Sequence, residues 1–239
     1  MLHVSFGPCQ PVPMNVSHSH ATEHHVAALR EWVQDAGMRY DVPAHATLFR
    51  QGDTARELYY VEEGWIKLLR TEANGADVTV GYRRNGDLVD SASLVTTLTH
   101  PVTAMTRTPS RVWAIRAEHY RESLRQSARV SAALTTQLAQ EVIEYVERCG
   151  ALACLSARER LERVLIQALG LAPQYPVRLP FAPTELAGLV GIDVSHACRL
   201  LRAMKEEGLI DMKRGWVVVK RSPTATTCSS MARDLRVSL

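Results

Sequence analysis

The sequence predicts an α+β protein with a β-rich first domain, a long helix, and a small helical second domain that ends in a β-hairpin. Between residues 46 and 115, short apolar runs alternate with glycines about eleven or twelve positions apart, which is typical of β-sandwiches and barrels. From residue 118, apolar residues recur every three or four positions, as in an amphipathic helix. After residue 155, short helical patterns precede three consecutive valines flanked by basic residues. The 239 residues, of which 46% are hydrophobic, suffice for two modest cores.

The first domain is predicted to be a β jelly roll over residues 22–117, preceded by a flexible tail over residues 1–21. Asn74–Gly75 is a dipeptide typical of tight β-hairpin turns. Pro43, Pro101 and Pro109 fall between apolar runs, where the missing N–H interrupts no strand. Residues 22–37 have a helical pattern, and this helix is predicted to pack on the barrel.

Residues 118–154 are predicted to form helices, the later of which is long and has one apolar face. This face has two interpretations. It packs against the chain's own barrel, as surface helices commonly do, or it contacts the same helix of a second chain. The second interpretation places five residues at a dimer interface: Leu134, Leu138, Val142, Tyr145 and Cys149.

Residues 155–221 contain the pattern of a helix-turn-helix, in which two short helices cross at a tight turn. Pro183 suits the first position of a helix, and Glu185 places a carboxylate near the positive end of the helix dipole. Ala187 is small enough for a close helix crossing, and Gly191 tolerates the positive φ that the turn needs. The predicted core of the motif consists of Leu186, Ala187, Val190, Gly191, Ile192, Ala197 and Leu200.

The second helix of the motif, from about Val194 to Glu207, leaves a polar face outside its apolar stripe, as in helices that enter the major groove of DNA. The following segment, GLIDMKRGWVVVKR, predicts a β-hairpin wing with a basic tip. Residues 155–221 contain eleven Lys and Arg against seven Asp and Glu, and this net charge of +4 suits a nucleic-acid partner. The predicted DNA-binding residues are Val194, Ser195, His196, Arg199, Arg202, Lys213 and Arg214.

Three further segments are informative together with the winged helix-turn-helix: FRQGD at residues 49–53, YYVEEGWIKL at residues 59–68 and GDLV at residues 86–89. The combination resembles the Crp/Fnr family of bacterial transcription regulators, which is named after the cyclic-AMP receptor protein and the fumarate-nitrate reduction regulator. The resemblance covers residues 40–221. It implies a jelly-roll sensor domain, a homodimer formed along the long helix, binding to a palindromic site in double-stranded DNA, and RNA polymerase as a further partner.

The second helix departs from a pattern common in this family, a glutamate and an arginine four residues apart. Arg199 retains the arginine, whereas Ser195 stands at the glutamate position. Arginine commonly makes two hydrogen bonds to guanine, glutamate accepts one from cytosine, and serine is less selective. The sequence therefore predicts a changed or relaxed DNA half-site.

The candidate effector region also departs from the family. Relatives that bind cyclic AMP carry a glutamate for the ribose and an arginine followed by serine or threonine for the phosphate. Here Ser91 lies near the glutamate position, and His100 and Pro101 lie near the arginine and serine positions. Cyclic AMP is therefore disfavoured, unless a distant cation such as Arg107 supplies the missing charge.

The cofactor remains unknown at this point. An iron–sulfur cluster is disfavoured, because family members with a cluster use several N-terminal cysteines and this chain has only Cys9 there. Histidines between residues 18 and 25 leave haem open, although a mobile His-rich tail is the commoner explanation. No cysteine spacing predicts a metal site. Cys198, beside Arg199, is either a redox-sensitive thiol or a small residue that fills a helix interface.

The chain shows neither a signal peptide nor an apolar run of membrane-spanning length, so a cytoplasmic protein with reduced thiols and no membrane partner is expected. A metal enzyme built on a β-roll is the alternative of a different class, but only His45 and His100 lie in the barrel region. A sensor that acts through protein contacts alone is the third. Residues 222–239 are predicted to form a C-terminal tail.

Overall fold

The computed structural model describes residues 20–96, 99–169 and 175–221, with side chains from residue 27 onward. The tail predicted over residues 222–239 lies outside these ranges, as does most of the tail predicted over residues 1–21. The helices are α1 (His20–Ala36), α2 (Ala117–Gln126), α3 (Ala128–Cys154), α4 (Ala157–Leu169), α5 (Pro183–Val190) and α6 (Val194–Glu206), with a 3-10 helix at Ser91–Leu94. The strands are β1 (Met38–Val42), β2 (Thr47–Phe49), β3 (Glu57–Glu63), β4 (Trp65–Thr71), β5 (Asp77–Arg84), β6 (Leu88–Val89), β7 (Thr103–Thr106), β8 (Ser110–Arg116), β9 (Val177–Leu179), β10 (Ile210–Lys213) and β11 (Trp216–Val219).

Two four-stranded antiparallel sheets form the first domain, in the orders β1-β8-β3-β6 and β2-β7-β4-β5. Apolar side chains of both sheets meet in one buried cluster, as in a jelly roll. The glycine spacing predicts this architecture, and it is confirmed. The hairpin predicted at Asn74–Gly75 joins β4 and β5, where the Gly75 N–H donates to the Glu72 carbonyl at 2.8 Å. The cluster consists of Phe49, Val61, Ile66, Leu68, Val89, Ala104 and Val112.

Helix α1 packs on α3 as well as on strand β8 of the barrel, so the prediction that it packs on the barrel was incomplete. Leu29 and Val33 of α1 are buried in a cluster that also includes Tyr120 of α2. The Trp32 Nε1–H donates to Ser123 Oγ at 2.9 Å and so ties α1 to α2. The three helices therefore form a layer on one side of the β-roll.

Leu134 belongs to this same cluster and is fully buried within its own chain. The prediction that Leu134 lies at a dimer interface is therefore wrong. The physical reason is that α1 covers one face of the first part of α3, the face that carries Val130, Ala133 and Leu134. The periodicity of an apolar face does not reveal which of its turns another element of the same chain covers.

The second domain is a winged helix, in which α4, α5 and α6 pack on a three-stranded antiparallel sheet of order β10-β11-β9. Leu186, Val190 and Ala197 are buried as the sequence predicts. Leu200 is only half-buried, whereas the next residue, Leu201, is fully buried, so the predicted position of the buried leucine was wrong by one residue. A helix turns by about 100° per residue, so adjacent leucines lie on different faces and only tertiary packing selects the inner one.

No helix within the described ranges combines the length and the apolar character needed to cross a lipid bilayer.

Candidate nucleic-acid interface

The turn between α5 and α6 is built from residues whose backbone preferences fit it. Gly191 ends α5 with φ of +71°, a left-handed conformation that favours glycine. Asp193 caps α6, because its Oδ1 accepts the backbone N–H of His196 at 2.8 Å. This hydrogen bond is the first cause that lowers the pKa of the Asp193 carboxyl below its usual range. The sequence analysis missed Asp193, although Asp directly before a helical pattern is a common N-cap signal.

We expect Gly191→Ala to destabilise the protein by about 1–2 kcal/mol, because alanine is strained in the left-handed region. A Cβ at this position would also lie 3.0 Å from Cδ2 of Leu152 on α3. Gly208→Ala is the matched control, since Gly208 has the same φ of +71° and open space around its Cβ position. Chemical denaturation of both variants measures the difference. Equal decreases in stability for the two would contradict a steric role for Leu152.

One face of α6 is open to solvent and carries most of the residues predicted to contact DNA. Val194 is 44% exposed, and Ser195, Arg199 and Arg202 are also exposed, whereas His196 is half-buried. Within the part of the chain that the structure describes, neither Arg199 nor Arg202 has a side-chain hydrogen bond or ion pair with another residue. These two guanidinium groups are therefore free to contact a base edge or a phosphate.

The wing is the hairpin of β10 and β11, and Lys213 and Arg214 are exposed at its tip. Strand β9 pairs with β11 on the other side and carries Arg178, whose guanidinium lies 5.6 Å from the ring centre of Trp216. Sequence analysis missed β9, because three residues following a proline give too short a pattern. The basic tip and the exposed face of α6 are the two groups that could approach a duplex.

The candidate effector region of the β-roll contains buried polar side chains. His100 is buried, and its Nδ1 lies 2.7 Å from Oδ2 of Asp90. Its ring stacks on Phe49 with a centre-to-centre distance of 3.6 Å. Ser91 is fully buried beside Asp90. Asp90, whose carboxylate pairs with His100, is a residue that was not predicted from the sequence.

Arg107 does not supply that missing cation. Its Nε lies 3.2 Å from Oε1 of Glu185, and its Nη2 donates to the Gly215 carbonyl at 3.1 Å, so its side chain is directed to the winged helix. The interpretation that Arg107 supplies a cation to the effector region is therefore wrong. Arg107 was considered because it lies near His100 in sequence, but its two partners are far away along the chain.

The geometry of both domains agrees with comparisons to known proteins. Residues 40–127 match the cyclic nucleotide-binding domain, and residues 159–223 match the Crp-like helix-turn-helix domain. The chain belongs to the Crp/Fnr family of transcription regulators. This Crp/Fnr protein is therefore a DNA-binding regulator of transcription, and the alternative of a metal enzyme is not supported.

Two curated Crp/Fnr relatives show the extent of the similarity. The cyclic AMP receptor protein of Thermus thermophilus is 29% identical over 182 residues, which cover 75% of this chain and 82% of the relative. The CRP-like protein Clp of Xanthomonas campestris is 28% identical over 188 residues, which cover 74% of this chain and 81% of the relative. The family resemblance drawn from the sequence motifs is thus confirmed.

Solved structures of Crp/Fnr regulators have the same fold. Clp of Xanthomonas campestris, described as a c-di-GMP responsive global regulator, matches with a TM-score of 0.66 at 25% identity over 82% of this chain and 99% of Clp. FixK2 of Bradyrhizobium japonicum matches with a TM-score of 0.68 at 13% identity over 85% of this chain and 98% of FixK2. The second likeness concerns the fold alone.

The later turns of α3 in this Crp/Fnr regulator expose an apolar stripe. Val142 is 60% exposed and Tyr145 is 48% exposed, as their prediction at a dimer interface requires, while Leu138 is half-buried and Cys149 is exposed. The structure adds three residues to these four: Ile143, Val146 and Leu152, which are 58%, 66% and 48% exposed. So many large apolar side chains on one exposed helix mark an interaction surface.

The cysteines are distributed over different parts of the regulator. Cys198 is half-buried on α6, which leaves both interpretations of its role open, and Cys154 is exposed at the end of α3. Cys9, Cys228 and the side chains of the histidines between residues 18 and 25 lie outside the described residues. Haem as a cofactor thus stays an untested expectation.

Proposed function

We propose that the regulator acts as a homodimer that binds a palindromic DNA site and needs no cyclic AMP to do so. The observation that carries this proposal is the open face of α6, on which Arg199 and Arg202 have no hydrogen-bond or ion-pair partner within the described part of the chain. A recognition helix of a helix-turn-helix enters the major groove with such a face. The exposed apolar stripe on α3 is the observation that supports pairing with a second chain.

The proposed dimer follows from the requirements of a palindrome. Two recognition helices must lie about one helical turn apart, roughly 34–36 Å, to contact two half-sites on one side of the duplex. A two-fold axis along α3 would bury Val142, Val146 and Tyr145 of both chains, which are otherwise exposed to water. RNA polymerase as a further partner and the cytoplasm as the place of action are parts of the same proposal.

Each half-site is proposed to be recognised by a small set of contacts. Arg199 donates to the O6 and N7 atoms of a guanine, and Val194 contacts the methyl group of a thymine. Ser195 hydrogen-bonds without strong base preference, and His196, being half-buried, contacts a base or a phosphate at the edge of the interface. Lys213 and Arg214 on the wing, together with Arg202, contact phosphates.

Selection of random duplex DNA by the reduced protein without any ligand tests this proposal. We expect enrichment of a two-fold palindrome, followed by a steep decrease in affinity with rising salt because phosphate contacts release counterions. Enrichment of a single, asymmetric half-site would contradict the dimer. Selection of no sequence at all would contradict the proposal. Selection that occurs only after a change of thiol state would indicate that oxidation of Cys198 controls DNA binding.

The sensor domain is proposed not to bind cyclic AMP. The imidazole of His100 and the carboxylate of Asp90 lie together at the expected phosphate position, so a cyclic phosphate would meet a carboxylate without a fixed cation. Ser91 is too short and too deeply buried to replace the glutamate that binds the ribose in relatives.

Thermal unfolding with added nucleotide tests whether cyclic AMP binds. A ligand at 100 times its Kd would stabilise the protein by about 2.7 kcal/mol, whereas we expect cyclic AMP to leave the unfolding temperature unchanged. The double variant Ser91→Glu and His100→Arg, which restores the two family residues, is the matched comparison. A parallel titration with c-di-GMP is informative because the relative Clp is described as responsive to it. A clear rise with cyclic AMP for the unaltered protein would refute the proposal.

A further inference from the structure

The two domains of this chain make close contact. Helix α5, the first helix of the helix-turn-helix, lies on strand β5 of the β-roll. Gly188 of α5 faces Thr79, and a Cβ at Gly188 would lie 3.4 Å from the Thr79 backbone nitrogen, which is an ordinary van der Waals distance. Helix α5 and strand β5 are therefore in direct contact at this point.

Aromatic side chains extend the same interface. Phe181, which directly precedes α5, lies 4.7 Å from Tyr82 of β5 and 5.6 Å from Trp65 of β4, measured between ring centres. Phe181 is buried, and its ring meets the Trp65 ring edge-on, a favourable arrangement for two aromatic groups. The interface thus has an apolar centre.

A charged cluster lies beside this apolar centre. Glu185 of α5 is buried, and its Oε1 lies 3.1 Å from Nζ of Lys67 and 3.2 Å from Nε of Arg107. Its Oε2 accepts the Ala182 backbone N–H at 2.7 Å. Burial alone would raise the pKa of Glu185, but the Ala182 N–H and the cations of Arg107 and Lys67 lower it below its usual range. One carboxylate thus caps its own helix and binds two cations of the other domain.

Arg107 reaches two parts of the winged helix at once. Besides Glu185 it binds the carbonyl of Gly215, which directly follows the exposed basic pair of the wing tip. Two further arginines of the first domain and long helix reach the second domain: Arg84 donates to the Ala168 carbonyl at 2.8 Å, and Arg148 of α3 donates to the Leu189 carbonyl at 3.3 Å. The winged helix is therefore held at α4, at α5 and at the wing.

We propose that Lys67 and Arg107 are positioning residues for DNA recognition: through Glu185 and Gly215 they hold the winged helix in one orientation on the β-roll. This inference rests on the proposed function, because a fixed orientation matters when two recognition helices must match the spacing of two half-sites. The docked arrangement leaves the α6 face and the side chains of Lys213 and Arg214 exposed, so the held orientation is compatible with DNA.

The electrostatics explain why these two residues have a large effect. A buried carboxylate without its cations is strongly unfavourable, and it regains hydration only if the two domains separate. Replacing Lys67 and Arg107 with methionine keeps similar side-chain volume in the β-roll and changes no residue of the winged helix. The expected consequence is a winged helix that moves relative to the β-roll.

The test uses the full-length protein, the double variant Lys67→Met and Arg107→Met, and palindromes whose half-sites are moved apart or together by one or two base pairs. We expect the unaltered protein to prefer one spacing by about tenfold or more, within the usual range of coupling between sites. The double variant should accept the other spacings within about threefold, with unchanged base preference inside each half-site. The single variant Arg107→Lys keeps a cation for Glu185, so it should retain much of the spacing preference of the unaltered protein.

Arg70→Met is the matched control, because Arg70 lies on β4 like Lys67 but binds, among the residues that the structure describes, only the exposed Glu72. It should keep the spacing preference of the unaltered protein. An equally sharp preference in the double variant would overturn the inference. Base preferences that change in parallel with spacing would also overturn it, because they indicate a general structural defect.

Calorimetry without DNA separates this inference from the proposed function. Docked domains should unfold in one transition, and the double variant should show two. If the unaltered protein prefers no palindrome, the dimer proposal fails together with the positioning role in DNA recognition. The number of unfolding transitions would then still show whether Lys67 and Arg107 hold the domains together. A single, unshifted transition in the double variant would contradict even that role.

Discussion

Arg199→Ala is expected to remove most of the sequence selectivity of the regulator. Arg199 is exposed on the open face of α6 and has no hydrogen-bonding partner within the described ranges, so its guanidinium is available to a guanine. A bidentate arginine–guanine pair provides about 1–3 kcal/mol of discrimination, and a dimer carries the change in both half-sites. Affinity for the selected palindrome should therefore fall by roughly tenfold or more, while affinity for random DNA should change little. Competition binding at one fixed salt concentration measures both.

Lys213→Ala is the matched control for this variant. Lys213 is exposed at the wing tip, where a phosphate is its expected partner, so its removal should weaken binding to specific and random DNA alike. The slope of log affinity against log salt should become shallower by about one unit for each phosphate that the variant no longer neutralises. Equal decreases on specific and random DNA for Arg199→Ala would show that Arg199 contacts the backbone and not a base.

Val146→Glu is expected to dissociate the dimer. Val146 is 66% exposed in the single chain and lies on the α3 stripe, so the substitution costs the isolated chain little. In the dimer, two like charges would be brought together and removed from water, which should cost about 3 kcal/mol or more. This corresponds to roughly a hundredfold weaker association. Sedimentation at several protein concentrations measures it, and binding to the palindrome should fall in parallel.

Gln140→Glu provides the control for the added charge. Gln140 is exposed on the same helix but about 120° away from Val146 around the helix axis. It should leave the association and the DNA affinity unchanged. A Val146→Glu protein that remains dimeric at the lowest measurable concentration would place the dimer interface elsewhere.

The sequence predicted those features that depend on local backbone chemistry. Pro183 begins α5 and Gly191 ends it, because proline and glycine have backbone preferences that few other residues share. The β-roll followed from glycine spacing and the Asn74–Gly75 turn, which are local signals as well.

The features that depend on tertiary packing were not predictable in the same way. The burial of Leu134 under α1 and the burial of Leu201 in place of Leu200 are decided by neighbouring elements. Asp90 and His100 lie ten residues apart and meet at 2.7 Å, and Asp90 has a left-handed backbone with φ of +57°, which its residue type does not predict. Glu185 meets Lys67 and Arg107 across long stretches of sequence, so only the fold brings them together.

The pairing of His100 with Asp90 has a consequence for how the amount of active regulator is set. The imidazole of His100 and the carboxylate of Asp90 pair with each other in the candidate effector region, and under the proposed function cyclic AMP does not set the activity of the regulator. Under the proposed dimer, the number of copies of the chain is one variable that sets the amount of active regulator. While monomers predominate, dimer concentration rises with the square of chain concentration, so doubling synthesis yields about four times as much dimer by mass action. Expression of the target genes would then change more steeply than the abundance of the regulator. Self-association would provide the steepness that a cooperatively bound ligand provides in other regulators.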